Sequence, residues 1–391
     1  MNKKIVVIGN GAAGNAAVEE ILANEKDCKI IQITNEYSPI YYRPMLSEYI
    51  SEKEVPKRFY LHDEEWYKEN KIDFLKKANV GKILPDEKRI ELATGESIDY
   101  DALILAMGSY NFMPPMPGSD KKKVVSLRTL EDADKIKAMA EDAHRAVIIG
   151  GGLLGLELGW QLVKLGIEVS VLEMMNRLLP RQLDEEASVL FEEKVKAAGI
   201  NVLKGVKTQQ ITGNQSAEGV ELTDGTVVPA DFVIFSIGVR ANAQVAKEAG
   251  LKTERGIVVD SAMRTSDPNI FAAGDCAEFE GINYAIWPEA IAQGKVAGLG
   301  AIGKEAAYET LVPFNLYHGM NMRLFSIGDV GGNPDKTYDV EKAIEGDRFE
   351  KFFFSDGKLV GGILLGDISK SSKLKRALAE GQTKEDFLAS L

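Results

Sequence analysis

The sequence predicts an α/β protein built from two similar parallel-sheet units, the second inserted into the first, with a smaller α+β domain at the C-terminus. Three observations predict this. Residues 5–14 read Ile-Val-Val-Ile-Gly-Asn-Gly-Ala-Ala-Gly, an apolar and mostly β-branched run that closes on a glycine-rich turn. Residues 146–155 read Ala-Val-Ile-Ile-Gly-Gly-Gly-Leu-Leu-Gly, which repeats the pattern 141 positions later, Gly9 becoming Gly150. Beyond residue 309 strand-like runs replace the earlier strand–helix alternation.

In the first unit Gly9, Gly11 and Gly14 supply a tight turn, close backbone approach to a pyrophosphate and close helix–strand packing, with Ala12 and Ala13 between them. Ala16, Ala17, Val18, Ile21 and Leu22 follow at helical spacing, so the phosphates would sit on a helix N-terminus. A second strand, 29–34, leads to Glu36, 22 residues beyond Gly14, near the distance at which an acid reaches a ribose hydroxyl. A lone Gly-x-Gly-x-x-Gly says little. Inside a strand–turn–helix–strand–acid sequence it predicts a Rossmann-like dinucleotide site.

The Tyr42-Arg43-Pro44 segment follows. Arg43 either pairs with a pyrophosphate as a planar fork or is a surface arginine on a loop. A helix end at 66–71, a strand at 72–75 and a small antiparallel ribbon through Val80, 83–84 and 90–92 are expected next, then a buried strand from Leu103 to Met107 ending at Gly108. Pro114 to Gly118 is a linker, and a helix is expected over 130–143.

In the repeat, Gly150, Gly152, Leu153, Leu154 and Gly155 open an apolar helix, and the strand 168–172 ends at Glu173, 18 residues past Gly155. Glu173 accepts from a ribose 2′-hydroxyl and repels a 2′-phosphate, which favours NADH over NADPH, with Arg177 slightly opposing that preference. The stretch Asp231 to Gly238 echoes Asp101 to Gly108. The strand ending in Gly274-Asp275 places a carboxylate where a ribityl hydroxyl can be held, and a helix over 289–302 follows. From 309 onward, strands over 316–327 and 349–365, the second group folded at Asp356-Gly357, precede two helices.

At 391 residues and 45% apolar content the chain suits two or three folded domains. The net charge of −12 argues against nucleic-acid binding. The apolar run 232–239 is broken by Ser236 and Gly238, so no membrane span is expected, and a cytoplasmic setting fits. Only Cys28 and Cys276 occur, and they cannot form a local dithiol; Cys28 reads as a small buried hydrophobe. His62, His144 and His318 lack metal-ligand spacing, so no metal is expected. His318 either faces the cofactor or serves a surface or packing role.

Together these stretches resemble the two-dinucleotide flavoprotein family related to glutathione reductase, over essentially the whole chain. The marks are the turns at 9–14 and 150–155, Ala106-Met107-Gly108, Gly238 and the 265–275 stretch. The resemblance implies FAD on the first unit, NADH on the second, and domains at 1–112 with 241–308 (FAD), 113–240 (NAD) and 309–391 (C-terminal). It further implies that Arg43, Pro44, Val80, Ala106, Gly108 and Asp275 line FAD, that Trp287 lies near the flavin ring, and that Glu157 stands between flavin and nicotinamide. The alternative for Glu157 is a helix residue paired with a cation.

The chain departs from that family at several points. The cysteine pair and the C-terminal His-Glu pair of the disulfide reductases are missing, and Glu48 follows Leu46-Ser47 where other members carry cysteine or lysine. Met107 replaces a hydroxyl residue. The Tyr-Arg-Pro segment and the short C-terminal domain are similar to NADH:rubredoxin reductases and to the flavin half of assimilatory nitrite reductases. The expected activity is hydride transfer from NADH to flavin N5, then single electrons to a small acidic carrier, rubredoxin or ferredoxin. Alternatives are an NADH oxidase, a nitrite-reductase-type flavin subunit, and a redox-responsive binding protein. Lys370, Lys373, Lys375 and Arg376 form a basic cluster that reads either as a carrier-docking surface or as a solvated helix face.

Overall fold

The computed structural model describes residues 3–310 and 312–391. Two five-stranded parallel sheets carry the two glycine turns. In the first, the strands run in the order Ile270–Ala272, Ala102–Leu105, Lys4–Ile8, Lys29–Ile33, Asp73–Leu75. In the second, the order is Ile200–Lys204, Glu168–Glu173, Arg145–Ile149, Phe232–Phe235, Val124–Ser126. In both sheets the turn-bearing strand lies between the strand that leads to the acid and the strand that ends at Gly108 or Gly238. Each turn therefore sits where the chain reverses direction across the sheet, and a crevice opens at the strands' carboxyl ends.

The sequence echo has a structural cause. Asp101 accepts from the Lys4 N–H at 2.7 Å, and Asp231 accepts from the His144 and Arg145 N–H groups at 2.8 Å each. Each carboxylate thus ties the start of the turn-bearing strand to its neighbour. The spacing of the glycines repeats as well. A Cβ at Gly14 would stand 2.2 Å from the Gly9 carbonyl oxygen, and one at Gly155 would stand 2.5 Å from that of Gly150.

Helix Ala12–Asn24 lies against helix Trp287–Ala301, where Gly294 and Gly298 admit the backbone of Ala13 and Ala17. An antiparallel ribbon, Ser109–Asn111 with Val239–Ala241, joins the two sheets.

The C-terminal residues form a five-stranded antiparallel sheet, in the order Phe314–Gly319, Met322–Gly328, Lys358–Leu365, Arg348–Ser355, Asp339–Glu345. One face packs Tyr317, Leu324 and Phe353 onto the second unit's core at Phe191 and Leu158. Helices Ser371–Ala379 and Lys384–Ser390 cover Phe325, Phe354 and Leu364 on the other.

Several element expectations need correction. Strand Asp339–Glu345 was not expected; it is a charged edge strand with little burial, so its sequence lacks an apolar alternation. The helix expected to reach 143 ends at Ala140, and the strand expected to reach Met107 ends at Leu105. No helix among the described residues is long and apolar enough to cross a membrane.

Candidate functional site

A single cavity of about 570 Å³ begins at the first glycine turn and ends on the second unit. Its floor is the amino end of helix Ala12–Asn24. Gly11 caps that helix with no side chain, and nothing lies within 4 Å of where its Cβ would be. Two other long helices satisfy their first amides internally: Thr129 caps helix Leu130–Ala140 in a reciprocal pair with Asp132, and Asp184 caps helix Glu185–Ala197. Gly152, at the head of helix Leu153–Lys164, is bare in the same way as Gly11. Two helix ends with free amides and open space before them are anion cradles of the kind that hold a pyrophosphate.

Around the first cradle the structure brings together Glu36, Arg43, Pro44, Val80, Ala106, Gly108, Asp275 and Trp287, all of which line the cavity with Gly9, Gly11, Ala12 and Ala13. Gly14 is not in the lining; it lets the helix approach the Gly9 carbonyl. Arg43 is not free on the surface; it lines the cavity with three of its five N–H donors already committed. Its Nη2 lies 2.6 Å from Glu36 Oε1, and its Nη1 donates to the Tyr41 hydroxyl at 2.8 Å and to the Arg128 carbonyl. Burial alone would lower its pKa, but Tyr41 and Glu36 hold it above the ordinary value. The Glu36 carboxylate keeps lone pairs for a further donor, since it takes one hydrogen bond on each oxygen.

Sequence reasoning missed Arg128. Its guanidinium reaches Asp275 Oδ2 at 2.7 Å and the Ser109 carbonyl at 3.0 Å, while the Ser109 hydroxyl donates to the same Asp275 oxygen at 2.8 Å. One side of Asp275 is thereby fixed, and the other faces the cavity. Trp287 is half-buried as the first residue of its helix, and Tyr42 meets it edge-on at 5.1 Å.

At the second cradle Glu173 turns its carboxylate back to the glycine turn, accepting from Gly151 N–H and Met175 N–H at 2.8 Å each. Arg177 donates instead to the Pro180 carbonyl. Leu154 is 59% exposed and Met174 63% exposed beside the turn. Leu154, Leu158 and Gly238 also line the first cavity, which thus reaches from the first cradle to the helix that carries the second. Gly150, Gly152, Leu153 and Gly155 shape the second turn without lining that space.

Glu157 is carried on the same helix, between Leu154 and Leu158. No cation pairs with it among the described residues, and burial pushes its carboxyl up to about 8. The cation-paired alternative is therefore set aside. His318 is exposed, and the inward residue of its strand is Tyr317, which is fully buried against Phe191. The cofactor-facing alternative for His318 fails because strand alternation turns it outward.

The cysteines are far from any dithiol arrangement. Cys276 is fully buried, donates to the Leu105 carbonyl at 3.1 Å, and has its thiol pushed up to about 11 by burial; Cys28 is only half-buried, short of the fully buried position expected. Ser47 lines the cavity, whereas Glu48 is exposed. The basic cluster is not one open patch. Lys370 pairs with Glu350 at 2.5 Å, Lys373 donates to the Ser390 carbonyl, and Lys375 stands 3.3 Å over the Phe314 ring; Arg376 alone of the four is both exposed and locally uncommitted.

Residues 3–294 match the pyridine nucleotide-disulphide oxidoreductase family, and residues 313–382 match the rubredoxin NAD+ reductase C-terminal domain. The chain is 35% identical over 378 residues to a nitrite reductase [NAD(P)H] of Bacillus subtilis, covering 95% of this chain and 46% of that protein. It is 31% identical over 376 residues to an NADH-rubredoxin oxidoreductase of Clostridium acetobutylicum, covering 96% and 94% of the two chains. The crystal structure of the NADH:rubredoxin oxidoreductase from that organism superposes with a TM-score of 0.84 at 28% identity, over the full length of both chains. The chain spans about half the length of the first curated relatives it matches, 46% and 49%. Two repeated parallel sheets, their paired glycine cradles and the matched C-terminal sheet agree: the chain belongs to the pyridine nucleotide-disulphide oxidoreductase family.

Proposed function

We propose that this chain is an FAD-dependent NADH oxidoreductase, working in the cytoplasm, that delivers electrons to a small acidic one-electron carrier of the rubredoxin or ferredoxin kind. The observation that carries this reading is the continuity of the cavity. A dinucleotide laid on the first cradle would extend toward Leu154, Leu158 and Gly238 of the second unit, which line the same space. The bare helix ends and the open side of Asp275 fit FAD, and the Glu173 carboxylate beside the second turn fits an NADH ribose.

In this reading residues 1–112 and 241–308 hold FAD, 113–240 hold NADH, and 309–391 form the C-terminal domain. Bound FAD supplies the conversion of one hydride into two single electrons, so one NADH reduces two carriers and releases one proton. The protein's own contribution is placement. Gly11 and its helix amides take the FAD pyrophosphate. Glu36 accepts from the adenosine ribose while Arg43 and Tyr41 hold its carboxylate in place. Asp275, braced by Arg128 and Ser109, takes a ribityl hydroxyl. Leu154 and Gly238 form the wall on which the nicotinamide rests, and Glu157, neutral at physiological pH, adds no charge behind it. Without a cysteine pair there is no thiol relay, so electrons pass from the cofactor to the carrier directly.

An anaerobic titration with NADH tests the reading. One equivalent of NADH per flavin is expected to complete the reduction. An end point at two equivalents would reveal a second two-electron centre and overturn it. A second reading keeps the same chemistry but places it in a larger assembly, as the electron-input module of a nitrite-reducing enzyme; the 35% identity to the Bacillus subtilis nitrite reductase favours it.

A further inference from the structure

We propose that the outward face of strand Phe314–Gly319, centred on Leu316 and ringed by His318, Arg323, Lys375 and Arg376, is the docking surface for the acidic electron carrier. The inference rests on the carrier-reductase reading above. The placement comes from strand register. Leu316 is paired with Phe325, and His318 with Arg323, so these side chains share the face that helix Ser371–Ala379 covers only in part. Phe325 lies beneath that helix, but Leu316 on the edge strand is 49% exposed. Lys375 reaches from the helix over the Phe314 ring at 3.3 Å and lies 5.5 Å from the Phe325 ring. Arg323 is exposed beside His318, and Arg376 is exposed next to Lys375 on the helix.

The charge of the patch identifies its partner. The chain carries a net charge of −12. Some of its surface cations have a carboxylate partner, as Lys370 has Glu350 and Arg348 has Asp367. Among the described residues, neither Arg323, Lys375 nor Arg376 enters an ion pair. Burial and the Arg323 charge both depress the His318 pKa, the response of an imidazole in an uncompensated positive field. An exposed apolar centre within a positive rim, on an otherwise acidic protein, fits a small protein whose apolar contact point is ringed by carboxylates.

The strand also connects the patch to the cavity wall. Tyr317, on the opposite face of the same strand, is fully buried in the cluster that includes Leu158 of helix Leu153–Lys164. Glu157 lies one helical turn from Leu154 in the cavity wall. A carrier seated on Leu316 is therefore separated from the cavity wall by this strand and one helix.

Rubredoxin serves as the probe. The variants are Leu316→Glu and the double reversal Arg323→Glu/Arg376→Glu, with the exposed pair Lys26→Glu/Lys207→Glu as a control of equal charge change. The docking variants are expected to raise KM for rubredoxin about tenfold at low ionic strength and to flatten its salt dependence, through lost steering. The rate at which NADH bleaches the flavin is expected to stay unchanged in all variants. If wild-type flavin is not bleached by NADH, the oxidoreductase reading itself falls. If it is bleached and rubredoxin is reduced, but the docking variants match the control in KM and salt slope, the patch is not the docking surface. Sedimentation distinguishes another occupant: a wild-type dimer that the docking variants split would assign the patch to a second copy of the chain and overturn the proposal.

Discussion

Replacing Glu157 with glutamine isolates the effect of burying a carboxylic acid between Leu154 and Leu158. Burial raises its pKa from the ordinary 4.5 to about 8. The folded protein therefore holds a proton that the unfolded chain has already lost between those two values. Because the native state binds more protons across that window, stability falls as pH rises from about 4.5 to about 8, and levels off above. Each pH unit within it costs about 1.4 kcal/mol, so the ionisable side chain costs about 3 kcal/mol at pH 7 relative to a neutral isostere. Glu157→Gln is expected to unfold like wild type at pH 5 and to be more stable by that order at pH 7 and above. Urea unfolding at stepped pH measures the difference, and difference infrared spectroscopy follows the protonated carboxyl band directly. The band is expected to titrate near pH 8 and to vanish in the variant. A band that titrates near 4.5, or a stability difference independent of pH, would refute the argument.

Three further predictions test the placement of the cofactors. Arg128→Met removes a charge-assisted bond to Asp275 and the tie to the Ser109 carbonyl; FAD affinity is expected to fall by about 2–4 kcal/mol, read as flavin lost on gel filtration or by fluorescence titration. Glu173→Arg removes the acid beside the second turn, and the ratio of kcat/KM for NADH over NADPH is expected to fall at least about tenfold, with Arg177 then adding to a cationic site. Iodoacetamide is expected to leave turnover unchanged, and so is Cys28→Ser, because no cysteine relay lies between the cofactor and the carrier; thiol-dependent loss of activity in Cys28→Ser would contradict this.

How much of this was legible in the sequence depends on how local each signal is. The glycine turns, the acids at Glu36 and Glu173, and the repeat of Asp101 in Asp231 are written within short windows, and both sheets follow from them. Arg128 carries no such spacing. Its one local clue is the Thr129–Asp132 capping box, which places residue 128 just ahead of a helix; that it reaches Asp275, 147 residues away, is a property of the fold. Alternation along 316–318 shows that Leu316 and His318 share a face opposite Tyr317, but only the packing of Phe191 onto Tyr317 decides which face is inside. The basic run at 370–376 looks free for the same reason: Glu350 and the Ser390 carbonyl, which occupy Lys370 and Lys373, are distant in sequence. Strand Asp339–Glu345 escaped notice because a charged edge strand buries almost nothing.

The most direct test of the central claim, that one cavity brings the two dinucleotides together and electrons then leave without a thiol relay, is anaerobic double-mixing stopped flow. NADH is mixed first with the flavoprotein, then with oxidised rubredoxin. The account predicts single-step flavin bleaching by NADH, followed by complete reoxidation with two rubredoxins reduced per flavin at many turnovers per second. Flavin that stays oxidised on mixing with NADH, or stays reduced in the presence of rubredoxin, would contradict it.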